Sequence, residues 1–80
     1  MAYILLPMKS ARNYILLAMM FALEDKGMFV EKDIMYATGC SRSSFFRALS
    51  DLRCYLQEQR PWEELDYDND RKAYFRHRAI

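Results

Sequence analysis

Residues 30–52, VEKDIMYATGCSRSSFFRALSDL, decide the fold of this chain of 80 residues. Their pattern predicts a short helix over residues 31–38, a turn at Gly39 and a longer helix that begins after Ser41. Glycine reaches a positive φ at low cost, which suits a tight turn. A serine hydroxyl can accept a hydrogen bond from an amide in the first turn of a helix. Two helices connected in this way are typical of a helix-turn-helix.

Apolar side chains on both sides of Gly39 are predicted to hold the two helices together. They are Ile34, Phe45, Leu49, Leu52 and Leu56. In the second helix their spacing of three and four residues forms one stripe, which is the pattern of a helix with a single buried face. This helix is expected to run to about residue 59, because Pro61 prevents its simple continuation.

The chain after Pro61 alternates like a β-hairpin. Residues 62–67 and 72–77 are predicted strands, separated by Asp-Asn-Asp-Arg at residues 68–71. Asn and Asp favour turns because their side chains bond to nearby backbone groups and tolerate a left-handed φ. Residues 28–30 can add a further strand. The expected fold class is therefore α+β, mainly helical: a winged helix-turn-helix of three helices and a C-terminal β-hairpin wing.

Length and composition favour one small, ordered domain over residues 1–80. The chain is 52% hydrophobic with a formal net charge of +1, whereas disorder goes with low hydrophobicity and high net charge. A domain of this size is only marginally stable and often gains a partner subunit. Its expected parts are an N-terminal arm (1–9), a first helix (10–27), the helix-turn-helix (30–60) and the wing (62–77).

The compartment follows from the cysteines and from the longest apolar run. Cys40 and Cys54 could form a disulfide, but two buried free thiols in a reduced compartment are the favoured interpretation. Residues 1–7 lack the basic start and cleavage site of a signal peptide. The run at residues 14–23 is ten residues long, whereas a spanning helix needs about 20. We therefore expect a cytoplasmic, nucleoid-associated protein with no membrane contact.

The first helix has no polar residue between Tyr14 and Leu23, so it is apolar on every side. A surface helix of a small domain normally has a polar back. The favoured explanation is a homodimer in which a second copy covers the exposed side. The alternative is a helix that is buried at the centre of one compact domain or carries a few exposed methionines. The residues predicted to form the dimer contact are Tyr3, Leu5, Leu16, Met19, Met20 and Leu23.

The start of the helix after Gly39 carries short hydroxyls and arginines, which suit DNA. Arginine can donate two parallel hydrogen bonds to guanine O6 and N7, and the major groove admits a helix. Free amides at a helix N-terminus favour phosphate. Phe46 is either core, the favoured interpretation, or an exposed contact for a thymine methyl. The predicted DNA-binding residues are Ser41, Arg42, Ser43, Ser44 and Arg47, with Arg71 and Lys72 of the wing.

Residues 38–53, TGCSRSSFFRALSDLR, resemble the recognition segment of DeoR-type winged helices. Residues 64–76, ELDYDNDRKAYFR, are similar to the wing of those regulators of this type that carry a WYL domain. The resemblance implies a sequence-specific bacterial, phage or plasmid transcription regulator. It also implies that Arg42, Ser43, Ser44 and Arg47 read DNA and that the tip of the hairpin reaches the minor groove or phosphates.

Two features depart from this family and leave a second hypothesis open. The wing begins with acidic residues, which repel phosphate, and no sensor domain follows it, so we expect no small-molecule ligand. The second hypothesis is a winged-helix module that binds another protein without binding DNA. No nucleophile motif, phosphate loop or cluster of metal ligands is found in the sequence, so we expect no enzyme activity, cofactor or metal.

Overall fold

The computed structural model describes residues 12–78, which form three helices and one three-stranded antiparallel sheet. In chain order the elements are α1 (Arg12–Lys26), β1 (Met28–Val30), α2 (Glu31–Thr38), α3 (Arg42–Gln59), β2 (Glu63–Asp68) and β3 (Ala73–Arg78). The sheet order is β1-β3-β2, so the C-terminal hairpin is extended by the short strand before α2. The fold is the predicted α+β winged helix-turn-helix.

Local chemistry explains where the helices end and begin. The turn between α2 and α3 starts at Gly39, whose φ is 73° and whose N–H donates to the carbonyl of Met35 at 2.8 Å. A side chain at this φ would be strained, so glycine is favoured here. The hydroxyl oxygen of Ser41 then accepts from the N–H of Ser44 at 3.2 Å and caps α3. The predicted helix-turn-helix boundaries are confirmed.

The core lies between α1, α3 and the sheet. Its buried members include Ile15, Met19 and Leu23 of α1, Phe29 of β1, Ile34 of α2, Phe45, Leu49, Leu52 and Leu56 of α3, and Leu65 and Tyr74 of the hairpin. The residues of α1 recur every four positions, so one face of α1 is buried within this chain. All five residues predicted to lock α2 and α3 together are in this core.

Burial in the core changes the interpretation of two residues assigned to a dimer contact. Met19 is 0% and Leu23 is 1% exposed, so neither reaches the surface of α1. Their assignment to a contact with a second chain is wrong, because the domain covers them itself. Leu16 and Met20 are partly buried at the edge of the core. Tyr3, Leu5 and the N-terminal arm lie outside the described residues.

The hairpin turn is displaced by one residue from its predicted position. Asp68 is still in β2, and its carboxylate oxygen accepts from the N–H groups of Asp70 at 2.9 Å and Arg71 at 3.3 Å. The positive φ of the turn, 56°, falls on Lys72. The turn therefore occupies residues 69–72 because the Asp68 side chain organises it from the end of the strand.

Two further predictions about α3 are wrong. Cys54 is exposed, although Cys40 is buried as expected, and both thiols are free. Phe46 is 41% exposed and does not belong to the core. The guanidinium of Arg53 donates to the backbone carbonyl of Leu65 at 2.9 Å, which joins α3 to β2.

Within residues 12–78, no helix combines the length and the apolarity needed to cross a membrane.

Candidate nucleic-acid interface

The first turn of α3 is at the protein surface. Ser41, Arg42 and Ser43 are exposed, and Ser44 is partly exposed. Two of these hydroxyls serve the cap, because Ser41 also donates to the Ser44 hydroxyl at 3.2 Å. In the part of the chain that the structure describes, the Ser43 hydroxyl has no hydrogen-bond partner. Of the three serines in this group, Ser43 therefore has the hydroxyl best placed to bond a ligand.

Arg42 is held by two neighbours and remains largely open to solvent. Its Nε–H donates to Oε2 of Glu31, the first residue of α2, at 2.8 Å. Its guanidinium lies 5.5 Å from the ring centroid of Phe46, one turn further along α3. The Arg42 side chain is 70% exposed. An arginine has five N–H donors, so the four on its two terminal nitrogens are available to a ligand.

Arg47 is exposed on the next turn of α3. No described residue forms an ion pair or a hydrogen bond with its guanidinium. Ser50 is exposed further along the helix, whereas Phe45, Ala48 and Leu49 are buried on the opposite face. The N-terminal half of α3 therefore has one buried apolar face and one exposed face that carries two arginines.

The turn of the wing lies at the same end of the molecule as the start of α3. Val30 pairs with Ala73 in the sheet, so Glu31 and Lys72, which are their chain neighbours, come close together. Glu31 in turn contacts Arg42. Glu31 therefore links the two groups of predicted DNA-binding residues, because it contacts Arg42 of α3 and the strand pairing places it beside the turn of the wing.

The positive charge of the wing turn is partly balanced by a nearby carboxylate. Nε of Arg71 lies 3.8 Å from Oδ2 of Asp68, and both side chains are partly exposed. Lys72 is exposed, and no described residue forms an ion pair with its ammonium. Lys72 is therefore the cation of the turn that is most available to a phosphate.

Arg76 makes its contacts within the protein. Its guanidinium lies 3.2 Å from Glu24 of α1 and 3.9 Å from Glu63 of β2, and its side chain is only 22% exposed. The oxygen of Glu63 that faces it has no hydrogen bond within the described residues, and it also lies 3.7 Å from Arg60. Arg76 joins α1 to the wing, so it is poorly placed to contact phosphate.

The central strand of the sheet, β3, carries a histidine that lies beside two acids of the outer strand β2. Nε2 of His77 lies 3.0 Å from Asp66 and 3.9 Å from Glu64, and Nδ1 lies 2.8 Å from the carbonyl of Arg78. The hydrogen bond to Asp66 and the one to the Arg78 carbonyl raise the pKa of His77. Both ring nitrogens face acceptors, and only the protonated ring can donate to both.

Two functional candidates were missed by sequence reasoning. The pairing of Glu31 with Arg42 has no local signature in the sequence, because the two residues are in different helices.

Leu17 and Phe21 are 67% and 71% exposed, and they form the apolar surface of α1 that the dimer hypothesis needs. Their signal was present: they are four residues apart on the side of α1 opposite to the stripe of Ile15, Met19 and Leu23.

No protein-family model, curated protein or solved structure matches this chain. The resemblance to DeoR-type domains therefore stays a prediction from the sequence. Among the described residues, no three His, Cys, Asp or Glu side chains are grouped so that they could hold a metal ion.

Proposed function

We propose that this protein binds double-stranded DNA sequence-specifically, with the N-terminal half of α3 in the major groove. The observation that carries the proposal is the exposed face of the first two turns of α3, which presents Arg42 and Arg47 away from the core. A major groove about 12 Å wide admits an α-helix, and arginine is the commonest reader of guanine there. Such a protein would act as a small transcription regulator in the cytoplasm, at the nucleoid of a bacterium or in phage or plasmid control.

The wing supports this orientation through its turn. With α3 in the groove, Arg71 and Lys72 would lie on the DNA side, since the wing turn and the start of α3 share one end of the molecule. The carboxylates of Asp68 and Asp70 at the same turn weaken the attraction to phosphate. One subunit is therefore expected to bind DNA weakly.

A homodimer formed through α1 would compensate for this weak binding. Leu17 and Phe21 are the most exposed apolar residues of α1, with Leu16 and Met20 at the edge of the core. Burying these side chains against a second copy removes apolar surface from water, which stabilises association. Two subunits would present two α3 helices to half-sites about 34 Å apart, one turn of the double helix.

The same exposed side chains favour a second candidate function, a module that binds another protein. Leu17 and Phe21 could contact a different partner, and the net charge of +1 gives no general attraction to nucleic acid. The two functions differ in one simple property. A DNA-binding protein binds random duplexes at low salt, whereas a protein-binding module ignores them.

The experiment compares wild type with two double variants in binding to a random duplex and to heparin. Arg42→Ala with Arg47→Ala removes the exposed charge at the start of α3. Arg60→Ala with Arg78→Ala removes the same charge at the opposite ends of α3 and β3. We expect binding that weakens steeply with salt, is lost in the first variant and is kept in the second. Wild-type protein that binds neither probe, or equal loss in both variants, would contradict the proposal.

A further inference from the structure

Arg42 is supported on two sides. Glu31 bonds Nε at 2.8 Å, and Phe46 lies beneath the guanidinium at 5.5 Å. We propose that Glu31 is a positioning residue that orients Arg42 to read a guanine, and that Phe46 contacts the methyl group of a neighbouring thymine. This inference rests on the proposed DNA binding and names what the site would recognise.

Arg42 donates to Glu31 through Nε, the one nitrogen of its guanidinium that a guanine does not need when the two terminal nitrogens read it. The two terminal nitrogens then remain as a planar fork, which matches the O6 and N7 acceptors of guanine. An unsupported arginine has many rotamers, and ordering it costs conformational entropy when it binds. Because Glu31 already limits the rotamers of Arg42, part of this ordering precedes contact with the DNA.

The negative charge of Glu31 opposes DNA binding, so its presence beside Arg42 calls for an explanation. A carboxylate beside the start of α3 repels phosphate and reduces attraction to DNA of any sequence. A protein that only needed affinity would gain from an uncharged residue there. A carboxylate that weakens non-specific binding and aligns the base-reading group increases discrimination between sequences.

Phe46 is a large apolar side chain on a face that is otherwise polar. Its inner side contacts Phe45 edge-to-face, with ring centroids 5.2 Å apart, so the ring is fixed from within the core. Its outer side is exposed next to Arg42. Neighbouring base pairs are about 3.4 Å apart, so a ring 5.5 Å from the guanidinium is within reach of the next base pair. Phenylalanine is one of the side chains that contact the thymine methyl in the major groove.

The test starts from the duplex that the intact protein enriches from a random pool. The inference predicts a guanine with a thymine at the next base pair, on either strand. Replacing this thymine by uracil removes only the methyl group. Wild type should lose about threefold to fourfold in affinity, the effect of one buried methyl group. Phe46→Ala should bind the thymine and the uracil duplex equally, and Phe46→Leu should retain part of the difference.

A second arm tests Glu31 with a matched control. Asp33 is an exposed carboxylate on the same helix, and no described residue pairs with it. Glu31→Ala removes the acceptor of Arg42 Nε–H and should reduce the preference for guanine over adenine by about fivefold, the lower end of the roughly 5- to 150-fold that a good bidentate pair is worth. It should also strengthen binding to random duplexes. Asp33→Asn should strengthen random binding without changing the preference.

The outcomes separate the two levels of the proposal. An enriched duplex whose affinity is insensitive to uracil, together with an unchanged guanine preference in Glu31→Ala, would overturn this inference and leave DNA binding intact. The absence of any enriched duplex would overturn both. Thermal melting of each variant confirms that it is folded before its affinity is compared with that of wild type.

Discussion

The first residue of α2 and the first residue of α3, Glu31 and Arg42, are joined by a hydrogen-bonded ion pair of 2.8 Å. The pair is at the surface, with 70% of the Arg42 side chain and 23% of the Glu31 side chain exposed. Exposed ion pairs contribute little to stability because water already solvates both charges. The value of this pair is therefore expected in binding and not in folding.

Replacing Arg42 by alanine should lower the free energy of unfolding by less than about 1 kcal/mol, the usual limit for an exposed pair. Urea unfolding followed by circular dichroism measures this change. The Glu31→Ala variant is the control, because it breaks the same pair from the other side. A loss above about 2 kcal/mol in both variants would show that the pair is structural.

Thr38 provides a test of the turn between α2 and α3. Its hydroxyl donates to the carbonyl of Ile34 at 2.7 Å and accepts from the N–H of Cys40 at 3.4 Å, and the residue is fully buried. Thr38→Val keeps the volume but leaves these backbone groups without that partner. We expect a loss of about 1–3 kcal/mol in unfolding free energy.

Thr38→Ser is the matched variant for this measurement. It keeps the hydroxyl and removes one methyl group, so it should lose only about 0.8 kcal/mol. A Thr38→Val protein as stable as wild type in urea would contradict the role assigned to the hydroxyl.

The acids around His77 predict a dependence of stability on pH. Its pKa is raised in the folded protein by the hydrogen bond to Asp66, then by that to the Arg78 carbonyl. The protonated ring therefore stabilises the fold. This contribution is complete below the ordinary pKa of about 6.5 and is lost as the pH rises through the raised value.

His77→Gln should accordingly be less stable than wild type at about pH 5.5, and the difference should disappear as the pH rises through the raised pKa of His77. Melting temperatures measured across this range give the comparison. Asp66→Asn should reduce the difference in stability between wild type and His77→Gln, because it removes the negative charge of the main partner of His77. A difference that is constant with pH, or larger at high pH, would refute this account of His77.

The exposed apolar surface of α1 predicts the oligomeric state. Leu17→Glu combined with Phe21→Glu should convert a dimer into a monomer, because a dimer contact would bury four carboxylates. Native mass spectrometry and sedimentation measure the mass. Folding should be kept, since both side chains lie outside the core.

The control for this variant is Tyr36→Glu on α2, where the side chain is also highly exposed. It should leave the dimer unchanged. A wild-type protein that stays monomeric at high concentration would remove the dimer from the proposal.

The sequence predicts the helix-turn-helix well because its signals are local. Gly39 and Ser41 define the turn by their own chemistry, and the stripe from Phe45 to Leu56 defines the buried face of α3. The sequence predicts that a hairpin is present, but the observed turn is displaced by one residue from its predicted position. That displacement depends on the two hydrogen bonds of Asp68, which a pattern of turn residues does not specify.

The candidate site is predicted in part, for physical reasons that differ by residue. Arg42 and Arg47 are where the helical pattern puts them, on the exposed face. Glu31 could not be assigned to Arg42, because contacts between helices depend on the angle at which the helices meet. Met19 was assigned to the dimer contact because a helix that is apolar on all sides does not reveal which side the core covers.

The selection of bound duplexes from a random pool, with the mass of the complex, tests the central claim most directly. The account predicts one enriched sequence with two half-sites about 34 Å apart and two protein chains per duplex. It also predicts that Arg47→Ala binds this duplex about 1–3 kcal/mol more weakly at matched salt, with relaxed preference at one base pair. A pool that remains random after repeated selection, or Arg47→Ala that binds the selected duplex as wild type does, would contradict the claim that the exposed face of α3 reads DNA.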